Sequence, residues 1–383
     1  MMDEMTPRER IEAAIRCEKP DRVPMVPMMD FFCARQKGVT LEKFINDNDL
    51  GRELMLQIFD GYGGWDALFQ STTLNEFAFA LTLPMRLKVP GRELPEDAVW
   101  QFEEIPVLDI EDYDVAVAQG YQALCARIFP RIRPHWQPQQ FPELLNQWLG
   151  QAVKDTLICE ARGLHSFTGV AISPPFDFFS MGRSLKEFTF DLYRRPEKVL
   201  AAMDAITPGL IETAIGGQMG MRQATQYGYM TNFIGATREA ATFISPKVFE
   251  KYAWPFIKRI ALALLDAGIT PLFHFDSNWG PMLEFFKDLP KGKCVLELDG
   301  ATDIFKAKAV LAGHMCLMGD VPASLLTLGT PEDVCNYVRK LCEVVGDGGG
   351  YILSTGCDTP VDAKPENVRA MLDAGREHGS YRH

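Results

Sequence analysis

Short apolar runs that alternate with helix-length segments predict an α/β fold built on a parallel sheet. The runs are Phe167 to Ile172, Gly228 to Phe233, Thr270 to Asp276, Lys293 to Leu298, His314 to Val321 and Gly350 to Ser354. Each is bounded by Gly, Pro or Asp and apolar nearly throughout, the pattern of strands buried on both faces. A length of 383 residues, 47% hydrophobic and 23% charged, gives ample core and allows two or three average domains or one large α/β barrel with insertions, and the alternation itself suits a closed barrel or an open doubly wound sheet.

The elements follow in order. Thr6-Pro7-Arg8-Glu9 places an N-cap and an N1 proline ahead of Ile11, Ala14 and Ile15, which predicts a short N-terminal helix. Arg22 to Pro27 reads as an extended segment entering the core. From about residue 85 to 150 the alternation breaks: Met85 to Val89 and Ala98 to Phe102 flank Pro90-Gly91 and predict an inserted hairpin. Ser245 and Pro246 begin a helix whose apolar residues Val248, Phe249, Tyr252, Phe256, Ile257, Ile260 and Leu264 recur at helical spacing up to Gly268, with a kink expected at Pro255. Thr330-Pro331-Glu332-Asp333 opens another. No glycine fingerprint follows the first strand, so dinucleotide binding has no support.

Composition excludes several classes. A formal charge of -12 disfavours nucleic acid, whose affinity comes from Lys and Arg neutralising phosphates. No secretory leader opens the chain and no apolar run approaches the roughly 20 residues that span a bilayer, so no membrane partner and a cytoplasmic location are expected. The nine cysteines are scattered without a disulfide framework and read as reduced thiols.

The segments MTPRERIEAAIRCEKPDRVPMVP, ISPPFDFFSMGRSLKEFTFDLYRRPEKV, ISPKVFEKYAWPFIKRI, PLFHFDSN, LMGDVPASLLTLGTPEDV and STGCDTPVDAKPENVRAML resemble the uroporphyrinogen decarboxylase superfamily, nearly from end to end. The resemblance implies a (β/α)8 TIM barrel with an N-terminal helical extension, one domain over residues 1–383 with the 85–150 stretch as its insertion. The superfamily divides into decarboxylases and zinc methyltransferases that exchange methyl groups with a corrinoid protein. The decarboxylases carry an arginine-rich segment after the first strand, suited to a substrate with many carboxylates. The matching stretch here, Met28 to Gln36, holds Arg35 alone. At the last strand, Ser354-Thr355-Gly356-Cys357-Asp358 puts a thiol where decarboxylases have histidine, which fits the methyltransferase branch.

Thiol-methylating members of that branch hold zinc through a His-x-Cys pair and a later Cys after a glycine. By that resemblance the metal ligands here are His274, Asp276 and Cys357, with aspartate replacing the middle cysteine. Strand alternation puts 274 and 276 on the same side, and three protein ligands leave one zinc position open. Asp299 is a candidate fourth ligand or a helix cap. His314-Met315-Cys316 matches His-x-Cys literally but starts its strand, on the barrel's structural face. Asp66 resembles an early catalytic aspartate of the family. Phe31, Phe32, Trp65, Phe69, Phe176, Phe178 and Phe179 line a flat substrate pocket or belong to the core.

A carboxylate in place of a thiolate leaves zinc a harder Lewis acid, matched to oxygen. The expectation is therefore an O-demethylase: a methoxylated aromatic small molecule gives its methyl group to Co(I) of a corrinoid (cobalamin) on a partner protein, with Asp276 and Asp66 catalytic. The alternatives are methyl transfer from a corrinoid to a thiol, porphyrinogen decarboxylation, and a scaffold without activity.

Overall fold

The computed structural model of the protein describes residues 4–381. An antiparallel hairpin, β1 (Arg86–Lys88) and β2 (Gln101–Glu103), comes first along the chain. The main sheet holds six parallel strands in sequence order: β3 (Ala171–Ile172), β4 (Thr231–Ala236), β5 (Thr270–Phe275), β6 (Val295–Leu298), β7 (Cys316–Val321) and β8 (Tyr351–Thr355). This regular ladder is open between β8 and β3. Two extended segments bridge the opening. Met25 pairs with Leu353 of β8, Leu68 pairs with Ser166 just ahead of β3, and the Asp66 N–H donates to the Met25 carbonyl at 2.9 Å. Six strands and two bridging segments supply the eight staves of the expected barrel, although the last two are too short to form ladders of their own.

Alternation along the strands divides the side chains. Val26, Ala67, Phe69, Phe167, Met230, Leu272, Val295, Cys316, Met318 and Ile352 fill the barrel, while Phe273, Phe275, Leu296 and Leu317 join the larger core outside it. Ile11, Ala14 and Ile15 of the helix Pro7–Ile15 belong to the inner group, so this helix closes the end where the strands begin. Its start follows local chemistry: Thr6 accepts from the Glu9 N–H and Glu9 reaches back to Thr6, satisfying N–H groups that a helix leaves free.

Several expectations shift in detail. β4 begins at Thr231 rather than Gly228, because Gly228 turns the chain at φ 67°. The hairpin strands are shorter than expected, and Pro90-Gly91 lies in a longer loop where the Gly91 N–H bonds the Leu94 carbonyl. The helix begun by Ser245 and Pro246 deforms one turn before Pro255, at a π-helical stretch Phe249–Ala253; a proline has no N–H to donate to the preceding turn, and the wider turn accommodates the missing bond. Helix Pro196–Ala224 is, by length and composition alone, long and apolar enough to cross a bilayer, a run the sequence reading did not single out. Here Val199, Ala202, Met203, Ile206, Leu210 and Ala214 form its buried face, and it packs on helices Glu111–Ile132 and Trp254–Asp266.

A buried ion-pair network fastens the N-terminal helix to the barrel. Asp66 accepts from Arg10 Nη1 at 2.5 Å, from Arg22 Nη1 at 2.8 Å and from the Met25 N–H at 2.7 Å. Arg10 also donates to both oxygens of Asp21, at 2.6 and 2.7 Å. Removing one partner from a buried charge pair leaves the other unpaired in a poor solvent. Asp66→Ala is therefore expected to lower unfolding free energy by about 3–5 kcal/mol in urea titrations. A loss below about 1 kcal/mol, the size typical of a surface pair, would contradict the network's role.

Candidate metal centre

The site is assembled at the C-terminal ends of the strands, where barrel enzymes place their chemistry. On β5 the alternation that sends Leu272 inward also sends His274 inward, one pleat nearer the rim. Parallel pairing of β5 with β6 sets His274 directly across from Glu297. Both are buried, and His274 Nδ1 lies 2.7 Å from Glu297 Oε2. A carboxylate accepts at this position, so Nδ1 holds a proton against Glu297 and Nε2 is the ring nitrogen turned to the barrel mouth, where a metal would take the place of its proton.

Nε2 meets two further ligand atoms. Nε2 is 3.4 Å from Asp276 Oδ1 and 3.6 Å from Cys357 Sγ. Among the described residues, His274, Asp276 and Cys357 form the one group of His, Cys, Asp or Glu able to hold a metal ion, with ligand atoms within 4.8 Å of one another. Ligands about 2.0–2.3 Å from a tetrahedral zinc stand roughly 3.3–3.7 Å apart, so the spacing around Nε2 fits such an ion. The Asp276 side chain is 34% exposed against 8% for His274, leaving one side open. Burial alone would depress the His274 pKa, but Glu297, Cys357 and Asp276 outweigh it and raise it well above the usual range; burial pushes the Cys357 thiol up while His274 draws it down. An imidazole among three groups that carry or can carry negative charge attracts a cation, whether a proton or a metal that displaces it.

The other expected residues lie elsewhere. Asp66 is a correction: it begins its stave, at the end opposite His274, and its carboxylate is engaged by Arg10, Arg22 and the Met25 N–H. Asp299 donates neither oxygen to the cluster, since Oδ2 accepts the Ser277 N–H at 2.7 Å and Oδ1 the Ala301 N–H at 2.8 Å. Cys316 is buried in the barrel interior beside Ile11 and Val295, away from the rim. The proposed pocket aromatics are core. Phe31 packs on Phe44 and Trp100, Phe32 on Tyr62, Trp65 on Phe59, Phe176 on Phe188 and Phe179 on Tyr113, all five buried. The helices Asp30–Gln36 and Pro175–Arg183 turn the four phenylalanines toward the layer outside the barrel, and Trp65 reaches the same layer from a loop. Phe69 alone faces inward, with Phe167 and Phe233.

Two residues of the site escaped the sequence reading in their roles. Glu297 lies within the apolar run Lys293 to Leu298, but nothing in that run reveals its register with His274. Phe233 stacks on the His274 ring at 4.9 Å between centroids and 27° between planes; the only signal was an aromatic residue in a predicted strand.

The family model described as Uroporphyrinogen decarboxylase (URO-D) matches residues 157–378, and the chain belongs to that family. This match includes His274, Asp276, Glu297 and Cys357. A uroporphyrinogen decarboxylase of Syntrophotalea carbinolica is 27% identical over 186 residues, 48% of this chain and 49% of that protein. One from Methylococcus capsulatus is 34% identical over 120 residues, 31% of this chain and 33% of its own, and the human one is 25% identical over 199 residues, 49% of each. The chain thus spans about half the length, or less, of these curated relatives. The solved structure of a methyltransferase from Methanosarcina mazei shares the fold with a TM-score of 0.70 at 18% identity, covering 98% of this chain and 99% of its own.

Glu297 makes a prediction that does not depend on the reaction. Glu297→Gln keeps the side chain's shape but removes its charge, and zinc affinity should fall about 10- to 100-fold in a chelator competition. An unchanged affinity would show that the His274–Glu297 bond does not orient a metal ligand.

Proposed function

We propose that this protein is a corrinoid-dependent methyltransferase of the O-demethylase type, with zinc held by His274, Asp276 and Cys357. The observation that carries the reading is the mixed nitrogen, oxygen and sulfur donor set converging on one point. Bound there, zinc would polarise the ether oxygen of a methoxylated aromatic donor so that the methyl group passes to the cobalt of a corrinoid on a partner protein.

The chain's own residues have separable tasks. Glu297 holds the Nδ1 proton and thereby keeps Nε2 available as a ligand. Asp276 contributes an oxygen where a second thiolate would make the ion softer, which favours activation of an ether over a thiol. Phe233 covers one face of His274 and, with Phe69, gives the barrel interior an apolar aromatic wall that excludes water from that side. The Asp276 side chain is partly exposed, and donor and partner would approach from that side. The methyltransferase name of the structural neighbour supports a transferase.

A second reading, decarboxylation of a porphyrinogen, is favoured by the names of the sequence relatives. Against it, Arg35 is exposed on the helix Asp30–Gln36, and Asp66 is engaged in ion pairs at the far end of the barrel.

Incubated with a reduced corrinoid protein and a panel of methoxylated aromatics, the protein should release a free phenol and methylate the corrinoid, followed by absorption spectroscopy. Asp276→Ala should lose about 10²-fold or more of this activity. Efficient methylation of a thiol with no demethylation, turnover of uroporphyrinogen, or full activity in Asp276→Ala would each overturn the reading.

A further inference from the structure

β6 contributes no ligand to the cluster, yet its C-terminal end touches the support of each one. Glu297 bonds His274 at 2.7 Å. Two residues on, Asp299 Oδ2 accepts the N–H of Ser277, the residue that follows Asp276, at 2.7 Å. Ser277 is a non-glycine residue at φ 74°, a backbone state that persists only where its surroundings impose it. Thr302 adds to the restraint: its hydroxyl donates to the Ser277 carbonyl at 2.9 Å and accepts the Trp279 N–H at 2.8 Å. The Trp279 indole in turn donates to the Asp276 carbonyl at 2.7 Å and stacks on Phe275 at 4.2 Å. Both flanks of Asp276 are thereby held through the backbone. The third ligand follows Gly356, whose approach is so close that a Cβ there would stand 2.7 Å from the Asp299 carbonyl oxygen.

We propose that the segment Glu297 to Thr302 is the positioning element of the metal centre, a frame that aims His274, Asp276 and Cys357 at one point without ligating. This rests on the reading that those three residues hold zinc. Side chains on separate loops do not converge to the tolerance a metal needs unless a common support fixes them. Here one strand end supplies that support: a side-chain bond to the first ligand, a backbone clamp on the second and direct backbone packing against the approach to the third.

The proposal separates the ligands experimentally. Thr302→Val is isosteric and uncharged and releases the clamp on Asp276. Gly356→Ala forces the Cys357 approach away from Asp299. The full chain and both variants are loaded with zinc, and separately with cobalt(II) as a spectroscopic probe; thermal unfolding is measured in parallel. Each variant that folds should bind zinc about 10-fold more weakly. In Thr302→Val the cobalt d–d bands should change while the thiolate-to-cobalt charge-transfer band remains. In Gly356→Ala that charge-transfer band should weaken or vanish. A merely structural role would lower the unfolding temperature but leave the cobalt spectra of the folded protein alike. Wild-type affinity and a wild-type spectrum in Thr302→Val overturn the proposal, and that variant decides alone if Gly356→Ala does not fold. If the unaltered protein takes up no zinc, the metal reading itself fails and the frame with it; zinc uptake with unaltered variants rejects the frame only.

Discussion

The hydrogen bond between His274 and Glu297 is the constraint on which the site depends. Two ionisable side chains are buried side by side, which is costly unless each satisfies the other. Their pairing also makes a choice. By engaging Nδ1, Glu297 leaves only Nε2 to face the barrel mouth, and the Asp276 and Cys357 ligand atoms stand 3.4 and 3.6 Å from it. The opposite tautomer would direct a proton at that point and repel a metal.

The bond in turn depends on the sheet. His274 and Glu297 are partners because β5 and β6 pair in parallel with that register, and a slip of one residue in either strand would turn that strand's member of the pair out of the barrel. The register is held by layers of apolar side chains beneath, Leu272 and Val295 in the barrel and Phe273 and Leu296 outside it. At the opposite end, the Arg10, Asp21, Arg22 and Asp66 network fastens the closing helix. Charge is thus used twice in the barrel: ion-paired at one end, where it fastens the fold, and at the other gathered around an opening where a cation can enter.

What the sequence made legible was local. The capping boxes at Thr6 with Glu9 and Thr330 with Asp333 follow from neighbours three residues apart, and both form. Strands β5 to β7 lie within apolar runs whose neighbours announce their ends, and β8 passes the end of its run by one residue. The shared side of His274 and Asp276 follows from strand alternation. Less legible was whatever depends on distant partners. The staves through Met25 and Leu68 pair by single bridges, too short to leave a periodic signal. Asp66 looked catalytic by family resemblance, and its ion-pair partners Arg10 and Arg22, 56 and 44 residues away, leave no local pattern that would have corrected this. Rings such as Phe176 and Phe179 share the composition of a pocket and a core alike, and only the direction of their helix decides between them.

The central claim is that three side chains from two strand ends bind one zinc ion, and zinc K-edge absorption on the purified protein addresses it most directly. The account predicts one zinc per chain with a single sulfur at about 2.3 Å and nitrogen and oxygen at about 2.0–2.2 Å, the sulfur contribution vanishing in Cys357→Ala. A shell with several sulfurs, a shell with none, or a zinc content untouched by replacing both His274 and Cys357 would contradict it.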